Sequence, residues 1–134
     1  MKKIGILCAG DTELEPFLPH LQEARTSRKA MLTFHEGKMC QWEVVLLYSG
    51  VCKVNAAIGT QILIDHYKAD AVINAGTAGG IAPEVHLFDT VIATEVAYHD
   101  VAEDILTDFH PWMSSIYFPS SPKLLEAARQ AAAD

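Results

Sequence analysis

The sequence predicts an α/β fold: a mixed, largely parallel sheet flanked by helices. Two short runs, Ile4 to Ala9 and Ala71 to Ala75, are almost continuously apolar, as strands covered on both faces are. Apolar residues at helical spacing follow the first of these runs and precede the second. Strand-like and helix-like segments alternate along the chain, which favours parallel pairing. The 134 residues are half apolar and 20% charged, enough for one domain, residues 1–134, with its own core.

The elements follow in order. Ile4 to Ala9 is the first strand, broken by Gly10-Asp11-Thr12. Leu14, Phe17, Leu18 and Leu21 recur at helical spacing, with Pro16 suited to a first turn. Pro19 sits badly in a helix interior, so this helix is expected to be short, late-starting or distorted. Arg25 to Lys29 is expected as a polar connection. Met31 to His35 and Gln41 to Tyr48 are expected as strands, with Glu36-Gly37-Lys38 as the hairpin turn between them. Ser49 to Lys53 is a loop feeding a helix whose apolar stripe is Val54, Ala57, Ile58 and Ile62, ending near Tyr67-Lys68. After the strand Ala71 to Ala75 comes the turn Gly76-Thr77-Ala78-Gly79-Gly80. Phe88 to Ala97 is β-branched and expected as a long strand, and Tyr98 to Met113 has no clear period. Ser120-Ser121-Pro122 starts a last helix with the stripe Leu124, Leu125 and Ala128.

Composition excludes several function classes. A net charge of -7 without a Lys/Arg cluster longer than a pair argues against nucleic acid as partner. The first apolar run is too short for a signal peptide and is followed at once by Asp11, Glu13 and Glu15. Nothing approaches the roughly 18 apolar residues of a membrane span, so no membrane partner is expected. Cys8, Cys40 and Cys52 form neither a CxxC pair nor a disulfide ladder, and two lie on or beside apolar strands. They are expected to be reduced, the two strand cysteines buried, and the location cytoplasmic. The six histidines show no HxxxH spacing, so no metal is expected.

Ligands of such sheets sit beyond the carboxyl ends of the strands. Three loops qualify: Ala9 to Glu13, Ser49 to Lys53, and Gly76 to Gly80. Gly76, Gly79 and Gly80 would permit positive φ or a close backbone approach, though a plain chain reversal fits their spacing equally. The pattern is neither GxGxxG nor GxxxxGK[ST], which disfavours a dinucleotide or triphosphate cradle. Glu13 could activate a water as general base, with Asp11 and Glu15 as neighbours able to take that role. All three could equally be a helix-start acidic cluster complementing the dipole. Tyr98-His99-Asp100 looks like part of a dyad but has no Ser or Cys in a nucleophile elbow, so His99 is expected in a structural or interface role. Phe109 to Phe118 carries a heavy apolar load, suited to covering a core edge or meeting a partner subunit.

Taken together, these runs resemble the 5′-methylthioadenosine/S-adenosylhomocysteine nucleosidases of the nucleoside phosphorylase superfamily. The resemblance rests on Ile4-Gly5-Ile6 through Glu13, Ser49-Gly50-Val51-Cys52-Lys53-Val54-Asn55-Ala56-Ala57, Ile73-Asn74-Ala75-Gly76-Thr77-Ala78-Gly79-Gly80, and Tyr98-His99-Asp100. It implies a nucleoside phosphorylase-like fold and hydrolysis of an N-glycosidic bond in a purine nucleoside, releasing adenine. It implies that Glu13 activates the attacking water, that Val51 lines the pocket, that the Thr77 hydroxyl lies by the ribose, and that Ala78 and Gly79 lie beneath the purine. It further implies a homodimer, with no cofactor and no metal.

The sequence also departs from that family. Gly10 stands in place of a common methionine, Thr12 in place of an acidic residue, and Leu106 where an aromatic pocket residue is usual. These changes could move the substrate toward another purine nucleoside such as futalosine. Family chains continue well past this length, and their later part supplies a Met-Glu pair for the ribose and a Ser-Asp whose aspartate protonates the purine. No equivalent lies before Asp134. A general acid often contributes ~10²–10⁴-fold, so the resemblance implies a fragment or truncated product, incomplete at the sheet's C-terminal part and nearly inactive alone. The alternatives are a non-catalytic module that dimerises or binds purine without turnover, and a phosphorylase. A phosphorylase would need Arg25, Arg28 and Lys29 at phosphate.

Overall fold

A computed structural model describes residues 2–133. The chain divides after Gly79 into two compact units. The first holds strands β1 (Lys3–Cys8), β2 (Gln22–Lys29), β3 (Leu32–Met39), β4 (Trp42–Tyr48) and β5 (Ala71–Asn74), with helices α1 (Asp11–Leu14) and α2 (Lys53–Asp65). A 3₁₀ turn of helix over Glu15–His20 continues α1.

The five strands form one sheet in the order β2-β3-β4-β1-β5. It is mixed, as expected: β1 runs parallel to both β4 and β5, while β3 is antiparallel to β2 and to β4. Side chains alternate across it. Ile6, Cys8, Val44 and Leu46 face one side and pack with Leu14 and Leu21. Leu7, Val45 and Leu47 face the other and pack with Phe34, Leu63 and Tyr67. That double burial is why β1 and β4 are apolar almost throughout, and each such side chain taken from water contributes roughly 1.5–3 kcal/mol.

The first helix is short and distorted, as Pro19 dictates, and it starts early, at Asp11. Helix α2 lies where expected but is rolled about its axis. Gly59 and Leu63 are buried and Ala56 and Ile62 half-buried, whereas Val54 and Ile58 point outward. Close packing explains the roll. A side chain on Gly59 would meet Leu7 and Leu47, and one on Gly5 would meet Leu63 at 2.8 Å. The helix therefore presents its smallest residue, with Leu63 over the glycine of β1, and Val54 and Ile58 face out.

Two expectations about the hairpins need correction. Arg25 to Lys29 belongs to strand β2, which is exposed along nearly all its length. An edge strand held by backbone pairing has no apolar period to betray it. Glu36-Gly37-Lys38 is no turn but part of the later half of β3, with Glu36 and Lys38 paired to both neighbouring strands and Gly37 to Val44. The reversals fall instead at Ala30-Met31, both at positive φ, and at Cys40-Gln41, with Cys40 at φ 52°. These are two-residue hairpin loops, whose backbone twist demands such angles.

The second unit contains β6 (Glu95–Val96), α3 (Glu103–Phe109), β7 (Phe118–Pro119) and α4 (Pro122–Ala133). The last helix begins at Pro122, as expected. The long strand over Phe88 to Ala97 does not form: only Glu95 and Val96 pair, with Pro119 and Phe118. A β-branched run becomes a strand only where a partner backbone meets it, and Pro119 has no N–H to extend this ladder. Ser120 holds the same segment, donating from its N–H to Thr94 O (2.9 Å) and from its hydroxyl to Ala93 O (2.8 Å). Helix α3 arises within the stretch expected to be irregular, with Glu103 and Asp104 in its first turn. Tyr98 packs edge-on against Phe118, with ring centres 5.9 Å apart. Phe109 and Trp112 are exposed in this unit.

Gly37 gives a direct check of the corrected hairpin. A methyl group there would lie 2.5 Å from the Gln22 carbonyl oxygen and 2.7 Å from Leu21 Cγ. Gly37→Ala is expected to lower stability by about 1–3 kcal/mol, read as a fall in the urea midpoint. A glycine in an exposed turn would tolerate alanine with little change.

Candidate functional site

Strands β4, β1 and β5 are adjacent and parallel, so the loops that leave their carboxyl ends emerge side by side. The register fixes this: Cys8 lies opposite Tyr48, and Leu7 opposite Asn74. The ladder continues into the loops, with Ser49 N–H donating to Cys8 O and Ala75 N–H to Leu7 O, each at 2.9 Å. The three candidate loops therefore converge at one edge of the first unit's sheet.

Glu13 ties two of these loops together. Its Oε2 accepts hydrogen bonds from the N–H groups of Ala9 (2.9 Å) and Gly10 (3.0 Å). Its Oε1 accepts from the Thr77 N–H (2.8 Å) and the Thr77 hydroxyl (2.9 Å). The contact to Gly10 is half of a capping box, Gly10 being the N-cap of α1 and Glu13 its third residue. The Thr77 N–H and hydroxyl, then the Gly10 and Ala9 N–H groups, all favour the ionised form and hold the carboxyl down to about 2. Asp11 turns back only on the neighbouring Thr12 N–H, and Glu15 is exposed at the start of the 3₁₀ segment. Of the three acidic residues, Glu13 is the one folded over the glycine turn.

Gly76 makes that fold-over possible. A Cβ there would lie 2.7 Å from Glu13 Oε1 and 2.9 Å from Cδ. The reason for this glycine is thus the carboxylate itself, and not positive φ: among the described glycines only Gly50 has it, at 80°. Gly79 is different, since an added Cβ would meet nothing within 4 Å. Thr77, Ala78 and Gly79 are exposed on this edge.

Val51 lies in the loop after β4 and is 68% exposed. Its carbonyl accepts a hydrogen bond from Asn55 Nδ2 (2.9 Å), and a Cβ on Gly50 would lie 3.1 Å from that same nitrogen. Beneath the loop, the buried Ser49 hydroxyl donates to Gly50 O (2.8 Å). The structure thus brings Glu13 and Thr77 into direct contact and sets Val51, Ala78 and Gly79 on the same sheet edge. Tyr98-His99-Asp100 belongs to the second unit, with His99 exposed.

Sequence reasoning missed the Ala9 and Gly10 N–H donors and the partnership of Gly76 with Glu13. One signal was available, the spacing of Gly10 and Glu13 as cap and third helical residue. The cysteines need partial correction. All three are free, but only Cys8 is buried; Cys40 sits in a tight turn and Cys52 at the exposed start of α2. Burial, and then the Glu13 carboxylate, push the Cys8 thiol up, which disfavours its thiolate. Among the described residues no group of three or more His, Cys, Asp or Glu could hold a metal ion, and no helix is long and apolar enough to cross a membrane.

Known proteins match this architecture. A 5′-methylthioadenosine/S-adenosylhomocysteine nucleosidase of Chromohalobacter salexigens is 41% identical over 133 residues, covering 97% of this chain and 56% of that protein. The crystal structure of the corresponding Neisseria meningitidis nucleosidase in complex with methylthio-immucillin-A superposes with a TM-score of 0.90. It is 33% identical and covers 98% of this chain and 58% of its own. The futalosine hydrolase of Helicobacter pylori superposes with a TM-score of 0.86 at 28% identity, over 98% of this chain and 57% of its own. The chain spans about half the length of the curated relatives it matches. A family model for the phosphorylase superfamily matches residues 3–134. The chain belongs to the phosphorylase superfamily, and within it to the likeness of the methylthioadenosine/S-adenosylhomocysteine nucleosidases that its sequence suggested.

Proposed function

We propose that these residues form the base side and pocket floor of a purine nucleosidase that hydrolyses 5′-methylthioadenosine or S-adenosylhomocysteine and releases adenine. The carrying observation is the Glu13 carboxylate, ionised throughout the neutral range and held over the glycine turn at the edge where three strand-end loops meet. Similarity to nucleosidases along nearly the whole chain supports the same reading.

The chemistry follows from what this carboxylate can do. Glycosidic cleavage builds positive charge on the ribose ring, and a fixed anion beside it stabilises that charge. Glu13 also takes a proton from the attacking water as the water oxygen bonds to C1′. The C1′–N bond breaks, adenine leaves with the bonding pair and takes up a proton, and Glu13 returns its own proton to solvent. Val51 lines the pocket, Thr77 stands by the ribose, and Ala78 and Gly79 lie beneath the purine. The open space over Gly79 suits a flat ring. Hydrolysis is favoured over phosphorolysis, because Arg25, Arg28 and Lys29 lie on edge strand β2, with β3 between them and the three loop-bearing strands.

The reading extends to a cytoplasmic homodimer. Three free cysteines suit a reducing compartment, and Val54 and Ile58 give α2 an apolar outer face for a second copy. Sedimentation is expected to show a dimer that Val54→Lys weakens.

Glu13→Gln is expected to lower the rate of adenine release by about 10²–10⁴-fold, measured on an intact version of the enzyme with methylthioadenosine and futalosine side by side. Full activity in the variant would remove Glu13 from the mechanism. Faster turnover of futalosine would move the substrate to that nucleoside.

The same pair of proteins has a pH signature. Glu13 is held below its unfolded value of about 4.3, so its contribution to stability is complete above that value and is lost as pH falls toward about 2. In Glu13→Gln an amide meets the N–H donors. The stability gap between the two proteins, measured by denaturant unfolding, is expected to be widest near neutrality and to shrink below pH 4.

A further inference from the structure

The four bonds to Glu13 create a difficulty for a general base. A carboxylate has about four in-plane lone-pair positions, and here each is taken: two by Ala9 and Gly10, two by Thr77. A water must itself donate to the carboxylate to be deprotonated, so one of these donors has to leave first. Three are backbone N–H groups. The Gly10 bond closes the first turn of α1, the Ala9 amide lies immediately beyond β1, and the Thr77 amide lies three residues beyond β5. The fourth, the Thr77 hydroxyl, is on a side chain that turns about a single bond, at an exposed residue.

We infer that the Thr77 hydroxyl is a placeholder: it occupies on Glu13 Oε1 the position that the attacking water takes, and it swings away when nucleoside and water bind. This rests on Glu13 being the water-activating base. Thr77 is then a positioning residue with two effects. In the empty site it keeps the carboxylate ionised and aimed. When it leaves, Glu13 loses one hydrogen bond to its charged form and becomes the stronger base just as a water arrives. The hydroxyl is thereby freed to turn toward the ligand. The Thr77 N–H stays, so the carboxylate keeps its place while its fourth position changes hands.

Three proteins test this, wild type, Thr77→Val and Thr77→Ser, with Glu13→Gln as the reference for the base. Carbon-13 NMR of the Glu13 carboxyl gives its titration without reference to turnover. Wild type is expected to remain ionised down to pH 3. Thr77→Val is expected to titrate about one pH unit higher than wild type, and Thr77→Ser to return to the wild-type value. In adenine release, Thr77→Val is expected to raise KM, because the freed hydroxyl would otherwise meet the ligand, and to lower kcat far less, because that hydroxyl has already left Glu13 in the transition state. A fall in kcat of about 100-fold or more, restored by serine, would mean that the hydroxyl stays on during the reaction and would overturn the placeholder. An unchanged Glu13 titration in Thr77→Val would overturn it too. Loss of the base reading shows separately, as adenine release indifferent to Glu13→Gln.

Discussion

The carboxyl edge of the sheet is organised by one ion and its donors. Glu13 accepts from Ala9 and Gly10 on its own loop and from Thr77 on the loop after β5. Its bonds span 64 residues of sequence, and they close two of the three loops onto each other. The sheet makes this possible, because β1 lies between β4 and β5 and is parallel to both. A parallel arrangement puts all three exits on one side, and the alternating burial of β1 and β4 fixes the register that aligns them. Slippage of β1 by one residue would exchange its two buried faces and carry Glu13 away from Thr77.

Space matters as much as charge. The glycine turn looks from its spacing like a device for positive φ or for close approach by a ligand. The structure divides these roles among individual residues. Gly76 has no side chain because Glu13 lies where one would be. Gly79 borders open space, which leaves room for a ring. The conformational freedom of glycine is used in the other loop, at Gly50, where φ is 80° and Asn55 crowds the position a side chain would take. The same sequence feature thus has three physical causes.

The legible parts of the chain were those with a tertiary reason visible in one dimension. Strands β1, β4 and β5 showed as apolar runs, and Pro19 announced the distortion after Leu14. Glu13 and the glycine turn stood out because acidic and glycine residues interrupt such runs. What stayed hidden depends on partners distant in sequence. Strand β2 is polar and exposed, and exists because β3 offers a ladder. The 88–97 run has strand propensity but pairs at only two residues. The buried face of α2 was misplaced because packing selected Gly59 over the larger Val54 and Ile58. The Ala9 and Gly10 amides carry no side-chain signal at all.

A carboxylate gripped by four donors is well suited to one half of glycoside hydrolysis and poorly suited to the other. For stabilising positive charge the grip is an advantage: the ion is fixed, aimed and permanently charged at neutral pH, with no reorganisation needed during reaction. For taking a proton it is a handicap, since every bond that favours the anion weakens it as a base. A site built only for charge would gain from a fourth backbone donor. The fourth donor here is a hydroxyl instead, on the exposed loop where a ligand would arrive. In the proposed nucleosidase that choice would reconcile the two demands, because three backbone bonds would preserve the anion's position while the side-chain one would let its basicity rise when a water is present to use it.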